Sequence, residues 1–318
     1  MVTDTTGSGS GSGAGLRGHK ILVTGPAGQI AFDLCAHLAQ HNDVWGVARF
    51  SVPASRQQCE DIGVRTVVAD LGEDSLDALP FDFDYVLHLA AYQAPGLDYD
   101  AAIRSNAEAT GLLMQHCRQA RAILVMSTHS VYAPHADPLH VFHETDPLGD
   151  VKPAHAPTYS VSKLMQEGVA RACARTFGVP TVIARMNASY GPSGGLPVLH
   201  LQALAAGGTV TTRWDPCPYM PIHADDIAAH TAGLLAVASS PATVVNWAGD
   251  EVVSPQDWVP YLAGLLGVEP RLQVVETPGT LRGSIADNSR RLAAAGPCTV
   301  PWRDGLRRCV EQFQAGRE

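Results

Sequence analysis

Tyr159 and Lys163 stand four residues apart in the run TYSVSK. On a helix that spacing puts both side chains on one face. A phenol of pKa ~10 is a poor base at neutral pH, and a lysine ammonium beside it favours the phenolate. Such a pair can give or take a proton at a substrate oxygen. Exposed helices carry YxxxK by chance, so the pair needs company. It has some upstream, where the apolar run AILVM leads into Ser127-Thr128. A hydroxyl of Ser127, Thr128 or Ser130 can hold a substrate oxygen towards Tyr159. Nearer the start, KILVTGPAGQIA (20–31) reads as a buried strand that turns on Gly25 and Gly28 into a helix. Gly25 permits the tight turn and Gly28 lets a diphosphate approach the backbone. The helix start offers unpaired N–H groups and the positive end of its dipole. Gly25, Ala27, Gly28, Gln29 and Ile30 form the expected cradle. A phosphate cradle joined to a strand-end Ser/Thr, Tyr159 and Lys163 points to hydride exchange with a nicotinamide dinucleotide, the tyrosine moving the proton.

Further residues bear on the cofactor. The second strand ends in GVAR, putting Ala48 and Arg49 where the adenosine ribose should lie. A carboxylate there would bind both ribose hydroxyls and repel a 2′-phosphate. A neutral residue followed by Arg49, with Ser51 and Arg56 close behind, favours NADP(H) over NAD(H). Should Arg49 be only a solvated strand-end charge, NAD remains open. Asp70-Leu71 follows the third strand, and Asp70 either accepts from the adenine amine or caps the next segment. Leu89, Ala90 and Ala91 put small side chains where the cofactor must pass closely. Asn106 either supports the site's backbone or a water chain, or is a helix-surface residue.

These residues require elements to position them. Strands are expected at 20–24, 43–48, 64–69, 85–89, 122–126 and 181–186, with helices at 28–41, 98–120 and 158–177 between them. Strands apolar on both faces and joined by helices imply a doubly wound parallel α/β sheet of Rossmann type. Past Gly191-Pro192 the rhythm changes to helices near 195–206, 224–238, 255–266 and 303–314, with brief strands near 209–212, 243–247 and 271–275. The expected organisation is a flexible tail over 1–15, a dinucleotide-binding domain over 16–190, and a smaller substrate-binding region over 191–318 that partly returns to the main sheet.

The bulk composition is that of a globular enzyme, with 318 residues, 46% hydrophobic and 17% charged. A net charge of −9 argues against nucleic acid or an anionic membrane as partner. The seven scattered cysteines include no CxxC pair, which fits free thiols in a reducing cytoplasm. Residues 1–15, MVTDTTGSGSGSGAG, lack the apolar core of a signal peptide. No apolar run is long enough to span a bilayer.

The chain resembles the extended short-chain dehydrogenase/reductase superfamily, in its branch of NAD(P)-dependent epimerases and dehydratases. VTGPAGQIA resembles TGxxGxxG with Ala31 in the third glycine's place, and HLAA follows the fourth strand. STHSVYA, TYSVSK, RMNASYGP and MPIHADDIA match further family segments. The resemblance covers about 19–315. It implies that Lys163 also holds the nicotinamide ribose and that Thr128 is the strand-five hydroxyl. Members that eliminate water from nucleotide sugars carry Asp-Glu after that Thr. Here His129 and Ser130 stand there, so elimination chemistry is not expected and both residues are assigned to the substrate pocket. Nucleotide-sugar members place an Arg where Tyr219 stands, with Arg213 near enough in sequence to substitute. Asn187 matches a residue that contacts substrate phosphate in relatives. His140, His143 and Glu144 raise a metal site or, more simply, solvated loop histidines, and no metal is assigned. His223 with Asp225-Asp226 is expected to pin the substrate region to the sheet. Related enzymes pair through their long helices, which implies a homodimer through 98–120 and 158–177. The expected activity is reversible hydride transfer at a secondary alcohol or ketone of a sugar-like small molecule. The alternatives are an epimerase retaining its NAD(P) and, more remotely, a non-catalytic dinucleotide sensor.

Overall fold

A computed structural model of the chain describes residues 15–149, 151–153 and 155–316. The tail expected over 1–15 lies, apart from Gly15, outside the described residues. Seven strands form one parallel sheet: β1 Lys20–Thr24, β2 Asp43–Ala48, β3 Arg65–Val68, β4 Tyr85–His88, β5 Ala122–Thr128, β6 Thr181–Met186 and β7 Thr243–Trp247. Their order is β3-β2-β1-β4-β5-β6-β7. The connections from β1 run one way to β2, and the chain then returns on its other side as β4. That reversal opens a crevice at the carboxyl ends of β1 and β4, where such sheets bind ligands.

The strand sequences are apolar on both faces because both faces are covered. In β1, Ile21 and Val23 join one core layer and Leu22 the other, following the period of two. One layer holds Leu34 and Leu38 of the helix Ala31–Leu38, with Ile227 and Leu234 of the helix Ala224–Ala236. The opposite layer holds Leu113 and Met114, with Ala170 and Ala174 of the helix Tyr159–Phe177. A third core gathers around Trp258, Leu262 and Leu306, where the helices Leu196–Ala205, Pro255–Leu266 and Trp302–Ala315 meet.

The structure departs from the sequence expectations at several points, among them three near the site and the helix Ser289–Ala295, which was not expected. The helix expected over 98–120 is segmented into Tyr99–Ile103, a π turn Arg104–Glu108, and Ala109–His116. Its broken apolar stripe reflects that wider turn. The first helix starts at Ala31 rather than Gly28, because residues 28–30 remain in the turn. The helix Pro53–Asp61 was not expected, since Cys59 alone is buried and no apolar periodicity marks it. The strand 243–247 is observed as expected and is the seventh strand of the main sheet, paired with β6. Among the described residues no helix is long and apolar enough to cross a membrane.

Candidate active site

A cavity of about 1130 Å³ occupies the crevice and extends from the glycine turn to the C-terminal third of the chain. At its nucleotide end Gly25 has φ +64°, and its N–H donates to the Val47 carbonyl at 2.9 Å. A β-carbon there would sit 3.2 Å from the Ala90 backbone, so both conformation and crowding call for glycine. Ala27, Gly28, Gln29 and Ile30 line the wall beside it, with Leu71, Leu89, Ala90 and Ala91 opposite. Arg49 also lines the cavity; its side chain is 62% exposed and lies 3.8 Å from Asp70. Asp70 lines the cavity, and its carboxylate accepts from the Gly72 N–H at 3.0 Å in a turn that no helix follows directly. Arg56 instead bonds Glu60 and Thr66 and is not among the lining residues. Asn106 is fully buried and does not line the cavity. It exchanges hydrogen bonds with the backbone of Tyr92, which does, so its influence passes through that backbone.

Thr128, Tyr159 and Lys163 converge on the cavity from β5 and the helix that starts at Tyr159. Ser127 is committed elsewhere: its hydroxyl donates to Glu167 at 2.6 Å. Thr128 Oγ1 accepts from the Ser130 N–H at 3.2 Å and lies 3.1 Å from the Ser130 hydroxyl. Burial pushes the Tyr159 phenol up to about 12, and a hydrogen bond with Thr128 draws it partly back. Burial also drives the Lys163 ammonium down to about 7, against the pull of Glu167 one helical turn away. Lys163 Nζ donates to the Met126 carbonyl at 2.7 Å. Against the expected pull of Lys163 towards the phenolate, burial is the larger influence on Tyr159 and favours the neutral phenol. Glu167 is itself buried, with Arg185 Nη2 at 2.8 Å and Nε at 2.9 Å.

The far end is formed by His129, Ser130, His155, Asn187, His200, Arg213, Tyr219 and Ser284, among others. His129 is 3% exposed, and burial beside Arg185 drives it down to about 3, so the ring is neutral. Its Nδ1 lies 3.2 Å from Ser284 Oγ. Asn187 faces the cavity with its side chain already engaged: Nδ2 donates to the Ser284 carbonyl and hydroxyl, and Oδ1 accepts from the N–H groups of Ala188 and Met220. Such an amide holds two loops together and has no capacity left for a phosphate. Arg213 donates to the Tyr219 phenol at 2.7 Å and has no carboxylate partner among the described residues. His200 Nδ1 accepts from the Trp258 indole at 2.9 Å, which leaves the neutral ring's proton on Nε2. His200 and Ser284 carried no sequence signal, because they come from distant segments without a motif and meet the site only through folding. Asp70, at the nucleotide end, is the one carboxylate residue among the described lining residues.

The histidine-rich loop does not converge. His140 pairs with Asp146 at 2.9 Å, His143 with Asp287 at 2.7 Å, and Glu144 faces Arg290 and the Asn246 N–H. Among the described residues no cluster of His, Cys, Asp or Glu is arranged to hold a metal ion. His223 caps the helix Ala224–Ala236 by accepting from the Asp225 N–H, while Asp226 holds the backbone of Thr299 and Val300.

The sequence profile of the NAD dependent epimerase/dehydratase family matches residues 21–206. Among curated proteins, the chain is 28% identical over 200 residues to dTDP-glucose 4,6-dehydratase 1 of Escherichia coli, covering 54% of this chain and 55% of that protein. It is 29% identical over 189 residues to the uncharacterized UDP-glucose epimerase YtcB of Bacillus subtilis, covering 54% and 57%. The chain thus spans about half the length of the curated relatives it matches. Among solved structures, MoeE5 in complex with UDP-glucuronic acid and NAD is 27% identical with a TM-score of 0.78, covering 93% of this chain and 99% of that one. UDP-glucuronic acid 4-epimerase from Bacillus cereus, bound to UDP-glucuronic acid and NAD, shares the fold at 23% identity and a TM-score of 0.80, covering 92% and 99%. Profile, fold and the sequence segments agree, and the chain belongs to the NAD dependent epimerase/dehydratase family, in the extended branch of the short-chain dehydrogenases/reductases.

Proposed function

We propose that the chain catalyses reversible hydride transfer between a nicotinamide dinucleotide and a secondary alcohol or ketone of a sugar-like molecule. The observation that carries this reading is the meeting of Thr128, Tyr159 and Lys163 on the wall of a cavity whose other end is the glycine turn. In this reading Thr128 orients the substrate oxygen, Tyr159 moves the proton, and Lys163 holds the nicotinamide ribose. The nucleotide supplies the hydride acceptor or donor when bound. The curated relatives include dehydratases, but among the described residues no carboxylate lines the substrate end here, and His129 is neutral. Redox chemistry fits that composition and carboxylate-assisted elimination does not. Arg213, with no carboxylate partner among the described residues, suits an anionic group on the substrate. Cofactor binding is assigned to 16–190 and substrate binding to 191–318 together with His129, Ser130 and Asn187, which reach the same end of the cavity.

NADP(H) is the proposed cofactor, on the strength of Ala48 and Arg49 at the cavity wall. The solved relatives are described with NAD. Titrating NADPH and NADH into the wild-type protein and Arg49→Ala tests this. A 2′-phosphate contact predicts about tenfold weaker NADPH binding in the variant and little change for NADH, the size of one charge-assisted hydrogen bond. Equal effects on both nucleotides would remove Arg49 from the argument. A retained-cofactor epimerase is the second reading, favoured by the UDP-sugar epimerases among the solved relatives. Mass spectrometry of nucleotide released on denaturation separates them: about one oxidised dinucleotide per chain supports the epimerase, and an empty protein supports exchange. A non-catalytic sensor would need neither phenol nor lysine in the cavity. The proposed homodimer through the segmented helix and Tyr159–Phe177 is supported by Leu112 and Met165, which those helices leave exposed.

A further inference from the structure

Behind the glycine turn and the catalytic helix runs a chain of buried polar groups that the proposed reaction leaves unused. His88, the last residue of β4, is 1% exposed, with Nδ1 2.9 Å from Thr24 Oγ1 and Nε2 2.8 Å from Thr110 Oγ1. The neighbours fix the direction of each proton. Thr24 Oγ1 accepts from the N–H groups of Leu89 at 3.0 Å and Ala90 at 2.9 Å, which occupies both lone pairs. Its own proton therefore goes to His88 Nδ1, and the neutral ring carries its proton on Nε2. That N–H donates to Thr110 Oγ1, which also accepts from Gln166 Nε2 at 3.0 Å and donates to the Asn106 carbonyl at 2.7 Å. Burial, with the nearby Lys163 charge, pushes His88 down to about 3, which keeps the ring neutral.

Both ends of this chain reach the proposed site. Thr24 directly precedes Gly25, and the Leu89 and Ala90 backbone that it holds belongs to residues lining the cavity. Gln166 lies three residues beyond Lys163 and seven beyond Tyr159, on the same helical face. Asn106, in the π turn, adds a second strut by donating to Ser162 of that helix at 2.8 Å. A β-strand and an irregular helix thus join the cofactor turn to the proton-transfer helix through buried hydrogen bonds.

We propose that His88 is a positioning residue that holds the cofactor turn in register with the Tyr159–Lys163 helix, accepting a hydrogen bond at one ring nitrogen and donating one at the other. The inference rests on the nicotinamide reading for its binding readout alone. What the position requires is one acceptor and one donor side by side, which a carboxamide can supply and a phenyl ring cannot.

The test compares His88→Phe with His88→Gln in NADPH titration and in hydrogen–deuterium exchange of the free protein over 25–30 and 159–167. His88→Phe is expected to weaken NADPH binding about tenfold, as for one lost buried hydrogen bond, and to speed exchange in both segments. His88→Gln is expected to stay close to wild type in both assays. Wild-type affinity and exchange in the phenyl variant would overturn the proposal, as would equal losses in the two variants. Should His88→Phe fail to fold, Thr110→Val removes the central hydroxyl at nearly constant shape. It must then loosen 159–167 and weaken NADPH binding, and unchanged behaviour there also overturns the proposal. A wild-type protein that binds neither NADPH nor NADH refutes the cofactor reading instead. The exchange comparison, made without nucleotide, still decides the role of His88.

Discussion

At Tyr159 and Lys163, burial acts on both groups and favours the neutral form of each. A phenol kept protonated is suited to donating to a carbonyl oxygen as hydride arrives. Tyr159→Phe removes that donor and leaves the nucleotide contacts in place. Turnover is expected to fall by about 10²–10⁴-fold with NADPH affinity nearly unchanged, the usual size of a proton-transfer contribution. Turnover at the wild-type rate would refute the mechanism. Lys163 gives a separate signature in stability. Its folded value of about 7 lies below the ordinary 10.5. Between those values the unfolded chain binds a proton that the folded chain does not, so its contribution to stability rises with pH across that window. Below about 7 both states are charged and the full cost of burial is present. Lys163→Met should therefore raise Tm relative to wild type more at about pH 6 than at about pH 9. A pH-independent difference would show that the lysine is not desolvated as the structure has it.

The elements hold these side chains by means that differ in how well sequence reports them. The hairpin of Ser189–Gly191 with Gly194–Gly195 shapes the start of the helix Leu196–Ala205 at the cavity. Gly195 has φ +116°, and a β-carbon there would lie 2.1 Å from the Ser189 carbonyl oxygen. Gly195→Ala is expected to cost about 3 kcal/mol or more, from strain and collision together, visible as a large fall in Tm. Gly264 is the control. It sits in the helix Pro255–Leu266, exposed, with nothing near its β-position. Gly264→Ala should stabilise by about 0.5–1 kcal/mol. Similar melting changes in the two variants would mean that the hairpin relaxes around the added methyl. The strands 43–48 and 181–186, expected from their apolar runs, are observed over those residues, since sheet burial leaves a direct mark on composition. The π turn within the segmented helix left only a broken stripe, because one extra residue per turn disturbs periodicity without a residue type of its own.

For the whole molecule, the cavity is walled by the glycine turn, by β5 with the Tyr159 helix, and by segments beyond residue 195. A nucleotide bound there ties the first two, and ligand binding to the folded state alone must raise stability. At a hundredfold excess over Kd the gain is about 2.7 kcal/mol, a rise in Tm of several degrees. Saturating NADPH that leaves Tm unmoved, in a scan where wild type unfolds reversibly, would argue that this cavity is not its site.

The glycine turn, the four-residue spacing of Tyr159 and Lys163 and the parallel sheet were legible in the sequence because each depends on local spacing or on burial along one segment, whereas Thr128 was placed by resemblance alone. The sequence also determined the absence of an Asp-Glu pair after Thr128. Tertiary structure decided what no local pattern encodes. Asn187, matched to a phosphate contact by resemblance, is used up holding Ser284, Ala188 and Met220. Arg56, placed by sequence near the ribose, turns to Glu60 and Thr66. His200 and Ser284 joined the cavity from afar, and His88 became the middle of a hydrogen-bonded chain from Thr24 to Gln166. The physical reason is common to all five. A side chain's chemistry is set by which groups take up its donors and acceptors, and those groups are brought to it by the packing of distant segments.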